Sequence, residues 1–172
     1  MRADYHCGNG SASIFYEDAN VLVASLHACP NTDYPYNTGF AVQTGAGAAV
    51  GATLNVPLPP HTTWSRAGDG GSESYEAALR RVIGAVAQHG AQALIISLGV
   101  DAYEHDPVHL PGAGIKIALP DFERMGEVLG EVRLPTYLVQ EGGYKLDVVG
   151  VAVRNVLRGV VRTRGRSTVA RM

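Results

Sequence analysis

Four side chains of this sequence have types and spacing suited to a metal site. Asp4 and His6 are two residues apart, so on an extended segment their side chains lie on the same side. Asp101 directly follows an apolar run, and Tyr144 ends the next strand-like run behind two glycines. Two carboxylates and one imidazole are ligands that zinc accepts, with a fourth position left for water. The Tyr144 phenol could donate a hydrogen bond to a carbonyl oxygen that such a metal polarises.

Each of these residues also has a simpler interpretation. An Asp-x-His pair is common, and Asp101 could equally cap the turn that follows its strand. Tyr144 alone could fill a core or a pocket rim. The acidic group at 104–106 is expected to cap and solvate a loop. Several other histidines are expected to be surface or core residues: His27, His61, His89 and His109. The metal hypothesis therefore depends on several features occurring together.

The elements that must position these residues alternate between strand and helix. Apolar runs predict four strands, and apolar residues at three- and four-residue spacing predict three helices. The strands are predicted at 21–26, 53–58, 93–98 and 136–140, and the helices at 74–88, 120–132 and 146–161. The first, third and fourth runs are almost continuously apolar, which is typical of parallel strands buried on both faces. The pattern predicts an α/β fold with ligand sites at the carboxyl ends of its strands.

Composition narrows the functional classes. The 172 residues carry 14 Lys and Arg against 16 Asp and Glu, a net charge of −2, and 46% are hydrophobic. This charge argues against a nucleic-acid binder, and no apolar run approaches the roughly 18 residues of a membrane span. The first residues lack the apolar core of a secretory signal, and two cysteines cannot form a disulfide scaffold, so a reduced, cytoplasmic setting is expected.

Two further segments carry expectations of their own. The Gly-rich run 45–51 precedes a strand rather than a helix, so it is not a typical phosphate-binding loop. The hypothesis of a sugar- or nucleotide-binding protein therefore has less support. The basic segment 162–172 has no apolar period and is expected to be a disordered tail, which leaves residues 1–161 as the folded unit.

Five short motifs occur in order over about residues 3–160. They are DYHCGNG at 4–10, IFY at 14–16, SLH at 25–27, SLGVD at 97–101 with Asp106-Pro107, and EGGY at 141–144. In this order they resemble the zinc-dependent histone deacetylase superfamily, most closely its bacterial acetylpolyamine amidohydrolase branch. The resemblance implies a three-layer, arginase-like α/β fold with a parallel sheet, and hydrolysis of an acetylated amine to acetate and free amine.

The same resemblance implies roles for individual residues. It assigns a Zn²⁺ ion to Asp4, His6 and Asp101, in agreement with the choice made from residue types and spacing. It gives Tyr144 the role of hydrogen-bonding the transition state, and it makes Gly143 and Tyr144 part of the substrate channel.

A second, monovalent cation also follows from the resemblance. This ion, usually K⁺, would be held by Asp4, by Ser25 and by the backbone carbonyls of His6 and Leu26. The family usually has an acid where Arg2 stands, which orients a catalytic histidine and helps to bind the cation.

The sequence departs from the family before and around the Asp-x-His motif. Family members have a long preceding stretch with a Gly-His-His segment, whose histidines act as general base and acid. The present sequence has no adjacent histidine pair, and Cys7 stands where a second histidine is usual. We expect residues 1–161 to be the C-terminal half of a deacetylase-like domain, with the N-terminal half missing and little activity alone.

Two functional classes remain open on the sequence. The first is a zinc-dependent hydrolase of acetylated polyamines, acetyl-lysine or other acylated amines. The second is a non-catalytic metal-binding remnant, or half of a split protein. Such a half would pair with a separately encoded N-terminal half, or with itself as a homo-oligomer through an open sheet edge.

Overall fold

The sheet of this protein is fully parallel and has five strands. In a computed structural model that describes residues 1–169, with side chains to residue 166, the strand order is β3-β2-β1-β4-β5. The strands are β1 (Arg2–Ala3), β2 (Val23–Ala28), β3 (Thr53–Leu58), β4 (Leu94–Leu98) and β5 (Thr136–Gln140). The shortest strand, β1, is central, so the residues that follow it emerge in the middle of the carboxyl edge.

The helices are α1 (Asn9–Ile14), α2 (Tyr75–His89), α3 (Asp121–Gly130) and α4 (Val149–Val169), with a short 3₁₀ turn at Gly47–Ala49. Local signals set the ends of α2. The Ser74 hydroxyl accepts from the Ala77 N–H at 3.2 Å, and Gly90 ends the helix with φ of 73°, a conformation that glycine adopts without strain.

Helices and loops cover different faces of the sheet. The apolar core joins sheet residues such as Leu26, Val56 and Leu98 to α2, α3 and α4. On the opposite face of β2 and β3, the buried Asn55 amide donates to the carbonyls of Phe40 and Gln43 at 3.3 and 3.2 Å. The segment between β2 and β3 therefore forms part of the layer on that side.

The four predicted strands and three longer helices are confirmed, with strand bounds within two residues of the expected ones. The sequence analysis missed two elements that carry no apolar period: the strand β1, which has two residues, and the helix α1, which has six residues and buries none of them. None of the helices in the described part of the chain is long and apolar enough to cross a membrane.

The expectation that the third and fourth predicted strands are buried on both faces is wrong. Ile95 on β4 and Tyr137 on β5 are paired in the sheet register and are 61% and 68% exposed. Helices cover the alternate residues, such as Leu94 and Ile96, which are buried. Strand β5 is also a sheet edge, so these strands have one open face.

The predicted disordered tail at 162–172 is wrong for its first part, since α4 continues to Val169. Polar contacts rather than apolar spacing hold this part of the helix. The Arg164 guanidinium donates to the carbonyls of Val132 and Leu134 and, at 2.8 Å, to the Thr136 hydroxyl. Arg162 lies 3.4 Å from a Glu127 carboxylate oxygen. Residues 170–172 lie outside the described part of the chain.

Candidate metal centre

The three predicted metal ligands converge at the carboxyl edge of the sheet. Asp4 and His6 follow β1, and Asp101 follows the neighbouring strand β4. One possible ligand atom from each of the three residues lies within 4.8 Å of the others. Asp4 and Asp101 are each 1% exposed. The parallel β1–β4 pairing explains the convergence, because it ends both strands at the same level of the sheet.

Two glycines allow the carboxylates to approach the backbone. A Cβ atom on Gly99 would overlap Asp4 Oδ2, and a Cβ atom on Gly142 would overlap Asp101 Oδ2. The Gly142 N–H also donates to Asp4 Oδ2 at 3.3 Å. The turns after β4 and β5 therefore form a tight wall around the two acids, which a larger residue would disrupt.

Asp101 has the carboxylate oxygen best suited to a cation. Its Oδ1 accepts from the Tyr5 N–H at 2.9 Å, whereas its Oδ2 is buried without a hydrogen-bond partner among the described residues. Burial and the nearby Asp4 carboxylate raise the pKa of Asp101 above its ordinary value. A buried, unpaired carboxylate oxygen beside a second carboxylate and an imidazole fits a divalent cation, and the N/O donor set suits zinc.

An acid that the sequence analysis did not single out, Asp33, lies near the ring of His6. The His6 Nε2 lies 3.8 Å from Asp33 Oδ1, while Asp33 Oδ2 accepts from the Tyr5 hydroxyl at 2.5 Å. Burial lowers the pKa of His6, against the raising effects of Asp33 and Asp4. This favours the neutral imidazole, the form that binds metals. Asp33 lies in a loop far along the chain, and no local sequence signal connects it to His6.

His109 contacts the backbone of Asp101. Its Nε2 lies 2.6 Å from the Asp101 carbonyl oxygen, and its ring stacks on Tyr5 with centroids 4.3 Å apart. His27, by contrast, is fully buried between the Ser25 hydroxyl and the Gly39 carbonyl, as expected for a core histidine.

Tyr144 lies on the loop that also carries Gly142, next to the two acids. Asp106 fixes this loop, because its Oδ2 accepts from the Tyr144 and Lys145 N–H groups at 2.8 and 3.2 Å. Asp106 caps a loop as expected, but it is buried rather than solvated. The Tyr144 side chain is 54% exposed. Partial burial and the nearby acids, Asp101 first, raise the pKa of its phenol, which therefore keeps its proton at neutral pH.

The residues expected to hold K⁺ have partners within the protein. Asp4 Oδ1 lies 2.8 Å from Arg2 Nη2, and the His6 carbonyl accepts from Arg2 Nε at 2.9 Å. The Leu26 carbonyl accepts from the Asp4 N–H at 3.4 Å. The Ser25 hydroxyl accepts from the Gly8 N–H at 3.4 Å and lies 2.9 Å from the ring of His27. Arg2 also pairs with the Glu141 carboxylate.

Known proteins are similar to this chain in sequence. The chain is 40% identical over 160 residues to an acetylpolyamine amidohydrolase of Mycoplana ramosa. The aligned region covers 93% of this chain and 43% of that protein. Acetylpolyamine amidohydrolase 2 of Pseudomonas aeruginosa is 38% identical over 159 residues, or 92% of the chain and 43% of the relative. The chain thus spans less than half the length of these curated relatives.

A solved structure agrees in fold. The crystal structure of an acetylpolyamine aminohydrolase from Burkholderia pseudomallei superposes with a TM-score of 0.84 at 30% identity, over 94% of this chain and 44% of that one. The sequence profile of the histone deacetylase domain matches residues 3–160. This match spans most of the sequence and includes all three converging residues, and the chain therefore belongs to the histone deacetylase family.

Proposed function

We propose that this chain forms the zinc-binding part of a hydrolase that removes acetyl groups from acetylated amines, of the acetylpolyamine or acetyl-lysine type. One observation carries the proposal: Asp4, His6 and Asp101 present ligand atoms within 4.8 Å of one another, at an edge where Asp101 has an unpaired buried oxygen. The acetylpolyamine amidohydrolases among its relatives support this substrate class.

Asp4, His6 and Asp101 would hold the zinc ion, which when bound polarises an acyl carbonyl and makes water more acidic. The chain's own contribution to the chemistry is Tyr144. Its protonated phenol would donate a hydrogen bond to the substrate carbonyl oxygen as negative charge develops there, an effect worth roughly 3–4 kcal/mol for a well-placed donor. Asp106 would keep this donor in place through the backbone of residues 144 and 145. Gly143 and Tyr144 would line the substrate channel.

Proton transfer needs groups that these 172 residues do not offer as an adjacent histidine pair. Positioned acids and bases contribute about 10²–10⁴ in rate, so we propose that the chain alone has little turnover. A separately supplied N-terminal half would restore the reaction. The exposed side chains of Ile95 and Tyr137 support such a partner, because they form an apolar strip on the open face of β4 and β5.

Complementation tests this function directly. The chain is co-expressed with the N-terminal half of an acetylpolyamine amidohydrolase, and hydrolysis of an acetylated diamine and an acetyl-lysine peptide is measured with zinc present. We expect activity with the pair and almost none with either half. Substituting His6→Ala should abolish it, whereas His89→Ala on the distant end of α2 should not. A stable complex that binds zinc but hydrolyses no acetylated amine would contradict the proposal.

We also propose a reducing compartment such as the cytoplasm, because Cys7 and Cys29 are both free thiols.

A further inference from the structure

Arg2 occupies an unusual place for a charged side chain, in the middle of the sheet. On β1 it is in register with Ser25 of β2 on one side and Ser97 of β4 on the other. Its neighbour Ala3 belongs to the opposite face, in register with the core residues Leu26 and Leu98. Arg2 therefore lies on the same face as Ser25 and Ser97, two residues before the candidate metal ligand Asp4.

The Arg2 guanidinium binds the oxygens that face it. Its Nε donates to the His6 carbonyl at 2.9 Å, and its Nη2 lies 2.8 Å from Asp4 Oδ1. Its Nη1 pairs with a Glu141 carboxylate oxygen. One side chain thus joins the segment after β1 to the loop after β5. Gly8 makes room for it, because a Cβ atom there would lie 2.7 Å from Arg2 Cδ.

Two of these acceptors belong to residues that the family resemblance assigns to a monovalent cation: Asp4, and His6 through its backbone carbonyl. We propose that the Arg2 guanidinium is the built-in cation of this site and replaces a bound monovalent metal ion. The site therefore does not fit K⁺. An ion in contact with the same oxygens would lie directly beside a guanidinium, which always carries its charge and repels it.

Replacement by arginine keeps a positive charge beside Asp4 and adds direction, while the site gains one net positive charge because the acid that the resemblance places at position 2 is absent. K⁺ and a guanidinium each contribute one positive charge beside Asp4, but the guanidinium also forms directed hydrogen bonds to two strand-end segments. Arg2 is then a positioning residue for Asp4 and His6. Metal binding at the Asp4–His6–Asp101 site should be independent of K⁺, a conclusion that goes beyond the proposed hydrolase function and needs no turnover to test.

The first test compares salts on the full, unmodified chain. Thermal unfolding and zinc affinity are measured in potassium chloride and in tetramethylammonium chloride at equal ionic strength. We expect the same melting temperature and the same zinc affinity in both salts. A saturable, K⁺-specific rise in the melting temperature would overturn the proposal, whether or not the protein binds zinc.

Substitutions then test Arg2 itself, with Arg81→Met as the matched control because Arg81 pairs with Glu73 on the exposed side of α2. Arg2→Met should weaken zinc binding by about 10–100-fold, the usual cost of losing a group that orients a ligand. Arg2→Asp should make the melting temperature rise with K⁺, since it restores an oxygen ligand. If Arg2→Met changes the zinc affinity no more than the control Arg81→Met does, the proposal fails. If Arg2→Asp does not fold, the salt comparison on the unmodified chain still decides it.

Discussion

At the residue scale, Asp101 combines a structural cost with a proposed role. Its carboxylate is buried next to that of Asp4, and Oδ2 lacks a hydrogen-bond partner in residues 1–169. A charge in this position lowers stability unless a cation compensates it. Removing the Asp101 charge should therefore stabilise the metal-free protein. The same change should weaken metal binding, because it removes a ligand.

The variant Asp101→Asn tests whether the buried charge lowers the stability of the metal-free protein. We predict that the free energy of unfolding in the presence of a chelator does not fall and gains up to about 1 kcal/mol, by relief of buried charge. Denaturant unfolding followed by circular dichroism measures it. The control Asp106→Asn removes a buried acid whose oxygens accept backbone N–H groups, and it should lose about 1–3 kcal/mol. Equal losses for both variants would mean that the Asp101 charge is already compensated.

Tyr144 is the second residue with a testable role. In a complemented, active pair, Tyr144→Phe should lower kcat by about 10²–10³ with a smaller change in KM, because the phenol acts on charge that develops only in the transition state. Zinc affinity should not change. Tyr137→Phe is the control, since it removes a phenol on β5 but keeps the aromatic ring that the N-terminal half is proposed to cover. An unchanged kcat in Tyr144→Phe would remove this residue from the mechanism.

The convergence of the three candidate ligands could be predicted in part from the sequence, because it depends on residue type and on position at strand ends. Asp101 follows a predicted strand, whereas β1 was not predicted, and Asp4 and His6 were chosen from their spacing and from the family resemblance. The groups near these residues could not be predicted in the same way. Asp33 and His109 reach the site through loops, and their contacts with His6 and Asp101 depend on how those loops fold over the sheet edge.

At the element scale, the crossing of α3 and α4 depends on glycine. A Cβ atom on Gly159 would overlap the Glu123 carbonyl, and one on Gly126 would overlap the Val156 carbonyl. The two helices therefore approach with backbone against backbone. This close crossing also brings Arg158 of α4 to the carboxylate of Glu123.

Gly159→Ala should destabilise the protein by about 1–3 kcal/mol, because the added methyl group has no space at the crossing. Gly165→Ala in the same helix is the control, since a Cβ atom there meets nothing within 4 Å. It should stabilise by about 0.5–1 kcal/mol through better helix propensity. Thermal or denaturant unfolding of the two variants measures the difference. A neutral Gly159→Ala would show that the helices can separate without cost.

Elements were predicted well where apolar spacing sets them and poorly where it does not. The strands at 53–58 and 136–140 and the helix α2 follow their apolar pattern closely. The last turns of α4 escaped prediction because Arg164 and its neighbours hold them by polar contacts. The open face of β4 and β5 also escaped, since an apolar residue at a sheet position does not reveal whether anything covers it.

At the scale of the whole molecule, that open face should drive association. Ile95 and Tyr137 present adjacent apolar surface, and exposed patches of this kind mark interfaces. We predict that the chain alone elutes as a dimer or larger species in size-exclusion chromatography. Ile95→Lys should shift it towards the monomer, while Val161→Lys, an exposed position on α4, should not. A monomeric chain at every concentration would show that this face needs no cover.

If Asp4, His6 and Asp101 form one zinc site, a zinc titration of the folded chain against a competing chelator will detect it. We predict saturable binding of one zinc ion per chain. His6→Ala and Asp101→Asn should each weaken it by more than the roughly 10–100-fold that loss of an orienting partner costs. Asp147→Asn, an exposed acid paired with Lys145, should leave it unchanged. No saturable binding by the folded chain, or binding that survives Asp101→Asn, would rule out a zinc site formed by these three residues.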